Sequence, residues 1–440
     1  MAKERFLSLV AVSAVALTSP IALAGSGSVE FHSSSYLRTS PDRVTNAGAF
    51  HIDYETSRDG QWLSTAGQFS VDSYAGDLKS ITPEMRELYL ATSPGLSQHH
   101  QIALGRMVHE WSVADSAWAL GDWSPRYIWN PLKPKTVGLT GFHYSYNSKY
   151  FSIRAFASPV NIPERGAPIH TENGRLVSSN PDAAVQYESV SVMNAQVPIR
   201  YTINMPPMKD LLFHPSALVQ VRFGQQKAGP WASFSAGFKP INSPDITAQA
   251  TLKLTPSEYI DAQLYPRIVS HDLMTLEAGI KNKSFDLWTS LTRELPKGSS
   301  LEAERVGSPM GPALIGSAGV DTHLSGPATL RASVLSIHEQ LATNDGSTVT
   351  ISLPGRYRFK RAASLGVEWQ AHSRLHYSAN WINDLAGQGQ WISAQGEYQF
   401  KRSRWSVGFG AELFNRAPRE SFFGPYAGND RVEGRLSYAF

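Results

Sequence analysis

The chain has 440 residues and not one cysteine. Exported enzymes and binding domains often depend on disulfides in an oxidising space, and this chain can form none. Past its first residues it has no run of about 18 apolar side chains, which excludes a helical membrane protein. It also lacks a charge bias. Forty Lys and Arg against 37 Asp and Glu leave a formal charge of +3, with no basic stripe for nucleic acid to follow. There is no internal repeat, low-complexity linker or visible domain boundary. What remains is ordinary in bulk, 42% hydrophobic with a mean hydropathy of −0.25, so the information lies in the order of residues.

The N-terminus carries an export pattern. Lys3 and Arg5 form a basic start, residues 6–17 are largely apolar, and Ala22, Leu23 and Ala24 make a small-x-small site. This predicts a signal peptide over 1–24, cleaved after Ala24, with Gly25 as the first mature residue. The apolar run is too short for a membrane anchor and stops at Ser19 and Pro20.

The deciding pattern is a period of two. Near the C-terminus Val432, Gly434, Leu436, Tyr438 and Phe440 share one face, and Arg431, Glu433, Arg435 and Ser437 the other. Trp405, Val407, Phe409, Ala411 and Leu413 alternate in the same way with Ser406, Gly408, Gly410 and Glu412. So do Ile246, Ala248, Ala250 and Leu252 with Thr247, Gln249, Thr251 and Lys253, and Ile260, Ala262 and Leu264 with Tyr259, Asp261, Gln263, Tyr265 and Arg267. Successive side chains of a strand point to opposite faces, so each segment has an apolar wall and a polar wall. Soluble strands usually run about 5–6 residues. These run nearer 10, the length a tilted strand needs to cross a bilayer. Trp369, Trp381, Tyr398, Trp405, Tyr438 and Phe440 lie on apolar faces near strand ends, where an interfacial aromatic girdle belongs.

The expected fold is all-β: a single transmembrane antiparallel barrel over 25–440, of about 18 strands with 16 to 20 allowed, its apolar face toward lipid. Connections alternate between short (Asp59-Gly60, Ser93-Pro94-Gly95, Asn147-Ser148) and long (108–135 and 158–195). Short periplasmic turns and long outer loops follow that rule. The stretches 294–313 and 340–361 do not resolve into strands by pattern. The last strand, closing on Tyr438, Ala439 and Phe440, resembles the terminal signal that barrel-assembly machinery reads in outer-membrane proteins. The mature chain as a whole resembles the large outer-membrane barrels of Gram-negative bacteria, both porins and barrels that export or organise surface polysaccharide. That resemblance implies a location in the cell outer membrane. It implies as partners the membrane lipid, lipopolysaccharide and the assembly machinery, with a periplasmic export partner or a homotrimer left open.

In this register the lumen is lined by Arg154, Arg200, Thr202, Asn204, Gln220 and Arg222, then by Lys253, Tyr259, Asp261, Gln263, Tyr265, Arg267 and Glu277. Asp286, Asp321, His323, Arg331, Glu368, Glu397, Glu433 and Arg435 complete it. Charges of both signs are mixed, unlike the one-sign ring of an ion filter. Interior rings and amides suit sugars, which stack and exchange hydrogen bonds; equally, such residues can simply solvate one another and stiffen a barrel. Residues 108–135 stand out, with Trp111, Trp118, Trp123 and Trp129 on one connection between the fifth and sixth strands. Residues 112–120 suit a short helical turn, with Asp115 and Asp122 as carboxylates and Arg126 as a base. So apolar a loop should pack rather than float, and the porin resemblance implies that it folds inward and narrows the pore. Packing for stability alone, or adherence to lipopolysaccharide, is the plainer alternative.

Catalysis is not expected. His143 and Ser145 have the His-x-Ser spacing of the outer-membrane phospholipase, but residues 150–157 offer no Asn to orient the histidine. His99-His100 and His109-Glu110 lack metal-site spacing, so neither a metal nor another cofactor is expected. The functional readings are a channel for hydrophilic solutes, carbohydrate above all, an export barrel for a polysaccharide, and a non-transporting surface barrel that binds polysaccharide or a partner.

Overall fold

The computed structural model describes residues 25–440 except 38–45, 76–79, 179, 181, 184–187, 193–194, 225–227, 256–257, 299–309, 325–326, 341–355, 416 and 419–420. The expected signal peptide, 1–24, lies outside the described residues. Eighteen antiparallel strands form one sheet. They are β1 (Gly25–Tyr36), β2 (Asn46–Asp59), β3 (Leu63–Tyr74), β4 (Thr82–Thr92), β5 (His100–Met107), β6 (Leu139–Asn147), β7 (Phe151–Ser158), β8 (Ser216–Gly224) and β9 (Gly229–Pro240). The second half comprises β10 (Ser270–Lys281), β11 (Phe285–Lys297), β12 (Ala313–His323), β13 (Ala328–Glu339), β14 (Arg361–His372), β15 (Leu375–Asp384), β16 (Gly389–Gln399), β17 (Trp405–Phe414) and β18 (Arg431–Ala439). β1 pairs with β18 from Ser28↔Ala439 to Tyr36↔Arg431, so the sheet closes and no edge is left.

Closure works because the alternation is inverted relative to a soluble core. Leu104, Leu276 and Phe409 stand 66%, 61% and 71% exposed on the outside, while their strand neighbours Ala103, Thr275 and Gly408 are buried on the inside. An apolar exterior is favourable only in hydrocarbon. Trp405 packs on Tyr438 and Trp369 stacks on Tyr377, with ring centroids 4.9 and 5.6 Å apart, at the end that carries the short turns. Phe440 lies at the same end and exchanges backbone hydrogen bonds with Gly27 at 2.9 and 3.2 Å. At the opposite end, 108–138, 159–215 and 241–269 are long connections.

Three period-two segments assigned above to the barrel are not in it. Ala195–Ile203, Asp245–Lys253 and Tyr259–Arg267 form, with Ser189–Val192, a separate four-stranded sheet built from the loops after β7 and β9. Ala195–Ile203 pairs parallel to Tyr259–Arg267, a geometry the barrel ladder lacks. Arg200, Thr202, Asn204, Thr247, Gln249, Lys253, Tyr259, Asp261, Gln263, Tyr265 and Arg267 therefore do not stand on barrel strands. The connection read as 158–195 extends to 215 for the same reason. The alternation is real, but its apolar face is a small core of Val197, Ile199, Tyr201, Ala248, Ile260, Ala262 and Leu264. Alanine at 248 and 262, both fully buried, marks close packing, where a lipid wall would carry leucine or phenylalanine.

Neighbouring residues on β18 test the register. Leu436 is half exposed on the outer face, whereas the Arg435 guanidinium bonds Glu397 and lies 3.9 Å from Glu30 inside. Leu436→Arg should cost about 2–4 kcal/mol near the membrane midplane and less toward an interface. Arg435→Val should still fold. Heat-modifiable gel mobility reads both, and the reverse pattern would invert the assignment of faces.

Candidate functional site

The segment 108–138 enters the lumen and crosses it. Ser112 caps a helix, α1 (Val113–Trp118), by accepting the Asp115 N–H at 3.2 Å. Ala119 ends it in the left-handed region at φ 46°. The Asp115 carboxylate then accepts the backbone N–H groups of Asp122 and Ser124 at 3.0 and 3.2 Å, folding the chain back on the helix. Gly121 is left-handed at φ 78°, and a Cβ there would meet Arg126 Nε and Glu164 Oε1 at 2.4 Å. Only glycine fits this turn.

The tryptophans bind this fold to the wall. Trp111 and Trp123, both 1% exposed, pack with Leu139, Phe156, Leu218 and Leu273 from β6, β7, β8 and β10. Trp118 Nε1 donates to Ser317 Oγ on β12 and Trp123 Nε1 to Thr275 Oγ1 on β10, each at 3.0 Å. Wall hydroxyls take both indole protons. Gln220 on β8 and Ser235 on β9 donate to the Trp111 carbonyl at 2.9 and 2.7 Å. Glu277 on β10 accepts from Ser112 Oγ and the Val113 N–H, both at 2.8 Å.

The contacts continue round the barrel. Lys133 pairs with Glu412 of β17 at 2.5 Å, and its ammonium lies 5.9 Å from the Trp391 ring centroid on β16. Lys135 reaches His51 at 3.0 Å and Asp53 at 3.8 Å, both on β2. Trp129 stacks on Tyr74 of β3 at 5.1 Å, and Tyr127 donates to the Thr82 carbonyl of β4. A single loop thus touches walls on all sides of the lumen and forms a diaphragm across it.

Behind the diaphragm, buried charges link four connections. Arg126 grips Glu164 with two hydrogen bonds, 2.6 and 2.8 Å. Lys239, at the outer end of β9, donates to the Asp122 carbonyl at 3.0 Å and to Asn242 Oδ1 at 2.7 Å. Arg356 bonds Asp122 at 3.0 Å and also Glu294 of β11, whose carboxylate takes Tyr357 and His271 as well. Burial pushes the Asp122 carboxyl up to about 7 despite the Arg356 charge. Asp115 is raised for the same reason. His109 is pushed down to about 3 by burial and stays neutral beside Trp111 and His143.

A cavity of about 650 Å³ remains between α1 and the wall formed by β11–β16. Trp118, Trp288 and Trp391 give it flat apolar faces, and Asp321, Arg331 and Asn380 line it with hydrogen-bonding groups. Arg358 and Phe359 complete it from the loop after β13.

The remaining expected lining residues fall into two groups. Arg154, Gln220 and Glu277 face inward but are engaged with the loop or buried beneath it. Arg222 lies over the Trp231 ring at 4.1 Å. Arg331 pairs with Glu368 at 2.9 Å, Arg435 with Glu397, and Glu433 with Arg431 at 2.9 Å. Lys239, His271, Glu294, Arg356 and Arg358 were not among the residues singled out. The run Arg356-Tyr357-Arg358-Phe359-Lys360-Arg361 was the available signal, since such basic and aromatic density in one loop needs acidic and apolar partners.

His143 Nε2 is hydrogen-bonded to the Leu139 carbonyl at 3.1 Å, and no Ser145–His143 bond occurs among the described residues. Among them no cluster of three or more His, Asp or Glu could hold a metal. His99 Nδ1 meets the Asn147 carbonyl and His100 Nδ1 the Tyr144 hydroxyl.

A closed antiparallel barrel with an apolar exterior, a polar interior and short turns at one end defines a transmembrane β-barrel of the outer-membrane class. No protein-family model and no curated protein matches the chain. Among solved structures it is similar to a loop L8 deletion mutant of OmpT, an outer membrane protein of Vibrio cholerae, at 10% identity and TM-score 0.39, covering 94% of this chain and 98% of that one. It is likewise similar to a triple mutant of the Rhodopseudomonas blastica porin, at 9% identity and TM-score 0.41, covering 94% and 99%. These are likenesses of architecture and assign no activity.

Proposed function

We propose that the protein is a channel for small hydrophilic solutes, with carbohydrate as the solute class and the cavity beside α1 as the path. The observation that carries this reading is the diaphragm. Residues 108–138 reach β2, β3, β4, β8, β9, β10, β12, β16 and β17 and leave beside α1 a cavity of solute dimensions. Four indoles in that lining, Trp118, Trp288, Trp381 and Trp391, supply aromatic surface, and Asn380, Ser333 and Ser364 supply hydroxyl-compatible hydrogen bonds. Export of a polymer would call for a wide lumen, which such a crossing loop works against. The outward leucines and phenylalanines fit lipid as the surrounding partner, and Tyr438 and Phe440 on the closing seam fit recognition during assembly.

One observation favours the surface-binding reading instead. The extra-barrel sheet carries Tyr259, Asp261, Gln263 and Tyr265 on one face, with the Arg200 guanidinium 4.2 Å from the Tyr259 ring centroid. Planar-bilayer recordings of the folded protein decide between them. Small discrete conductance steps, interrupted by added maltose or longer oligosaccharides, are the expected result. Folded protein that passes no current would leave the surface reading as the better one.

A further inference from the structure

Most cations around the cavity beside α1 already have a counter-charge. Arg331 lies 2.9 Å from Glu368 and 3.6 Å from Asp321, and Lys133 lies 2.5 Å from Glu412. Arg358 differs. Among the described residues no carboxylate lies within ion-pair distance of it, and its hydrogen bond runs from Nη2 to the neutral Leu132 carbonyl at 3.2 Å. Its Nε has no acceptor. The guanidinium is held beside Phe359 and Phe422, 5.2 and 4.7 Å from their ring centroids. A cation fixed among aromatic rings with no anion among the described residues is explained when a ligand supplies the missing charge.

The surroundings specify that ligand further. Leu132 and Phe359, which contact or adjoin Arg358, line the cavity together with Trp118 and Trp391. Trp118 meets Phe359 edge-on at 6.2 Å. Trp391 Nε1 is a second donor without an acceptor, and the Lys133 ammonium approaches its ring at 5.9 Å. Of the lining carboxylates, Asp321 is answered by Arg331, and Glu110 lies beyond the N-terminal end of α1, away from Ala119 and Leu132. One part of the cavity thus combines a cation for which the described residues hold no counter-charge with flanking aromatic side chains.

We infer that the cavity selects an acidic solute, a sugar-sized ring bearing one carboxylate, which pairs with Arg358 while the ring lies against Trp118 and Trp391. This deepens the channel reading and rests on it for the statement that the solute passes. Arg358 lies outside the strands, and burial, then Arg126, push its guanidinium down to about 9. It is still charged at neutral pH, when a carboxylate is ionised.

The test compares glucuronate with glucose, which share a ring and differ in the carboxylate. In bilayer recordings of the full-length protein, glucuronate should interrupt the current at concentrations about tenfold below glucose, the ratio expected of a charge-assisted hydrogen bond. Arg358→Gln should erase that ratio, and Arg358→Lys should restore part of it, with both variants checked for folding by heat-modifiable mobility. Equal potency of the two sugars on the wild type overturns the inference, as does an unchanged ratio in folded Arg358→Gln. Tryptophan fluorescence titrations of detergent-solubilised protein separate this from the channel reading. Preferential quenching by glucuronate, lost in Arg358→Gln, in a protein that passes no current would keep the anion site and remove the channel.

Discussion

Replacing residues 111–129 by a short glycine–serine bridge should raise single-channel conductance several-fold and admit larger sugars, with the barrel still folded. The excised segment contains α1, Trp111, Trp118, Trp123 and the Asp115 turn, which together hold the diaphragm in place. The eighteen-strand ladder does not depend on them, because β5 pairs with β6 directly from His100↔Tyr146 to Met107↔Leu139. Wall groups such as Gln220, Thr275, Glu277 and Ser317 lose their loop partners. They face a lumen that water refills, so they are rehydrated rather than stranded. The loss is the burial of four indoles, Trp111, Trp118, Trp123 and Trp129, at about 25 cal/mol per Å² of apolar area, which should lower the melting temperature without abolishing assembly. Unchanged conductance and unchanged solute cut-off in a folded variant would show that the diaphragm is not the narrowest part of the path.

The barrel was legible in the sequence because a lipid-facing wall is written in large side chains. Phe409, Leu413, Val432 and Leu436 share the outer face of their strands and are answered by Glu412, Arg431, Glu433 and Arg435, and both faces are where the alternation puts them. The strand number was legible as well, since strands of this length with alternating connection lengths fill the chain in only a few ways. Local alternation could not say which polar face looks into the lumen. Tyr259–Arg267 alternates as regularly as β18 does, yet its apolar face packs on Leu176 and Val197 outside the barrel. The period reports that one face is dry. Whether that face meets lipid or protein depends on chain returning from elsewhere, here from 195–203 and 245–253. The same limit applied to the charged hub. Asp122 and Arg126 could be read as polar residues of a tryptophan-rich loop, but Glu164 and Arg356 come from other connections and Glu294 from β11, tens to hundreds of positions away. Their pairing is a property of the closed barrel, which brings the outer ends of all its strands to one rim.

That hub supplies the second large effect. Arg356→Met should loosen the diaphragm by about 3–5 kcal/mol, the usual cost of removing one partner from a buried charge pair. Arg356 is the cation shared by Asp122 and Glu294, and without it two buried carboxylates face each other across the space it filled. Glu294 keeps Tyr357 and His271 as donors. Asp122 keeps nothing comparable, since its second carboxylate oxygen has no partner. The variant should therefore show noisy, larger currents and faster proteolysis within 108–135 at pH 8. The direction of its pH response follows from Asp122. In the wild type burial already raises that carboxyl from 3.8 to about 7, against the pull of Arg356. A carboxyl raised on folding favours the packed state most when protonated, and that contribution fades as pH climbs from about 4 through the folded value. Removing Arg356 takes away the group that holds the carboxyl down, so its protonation moves to still higher pH. Acidifying Arg356→Met from pH 8 to pH 6 should then quiet the channel, and adding Asp122→Asn should quiet it at every pH. Currents of Arg356→Met that stay equally noisy at both pH values, in protein of normal heat-modifiable mobility, would mean that the Asp122 carboxyl does not govern the clamp.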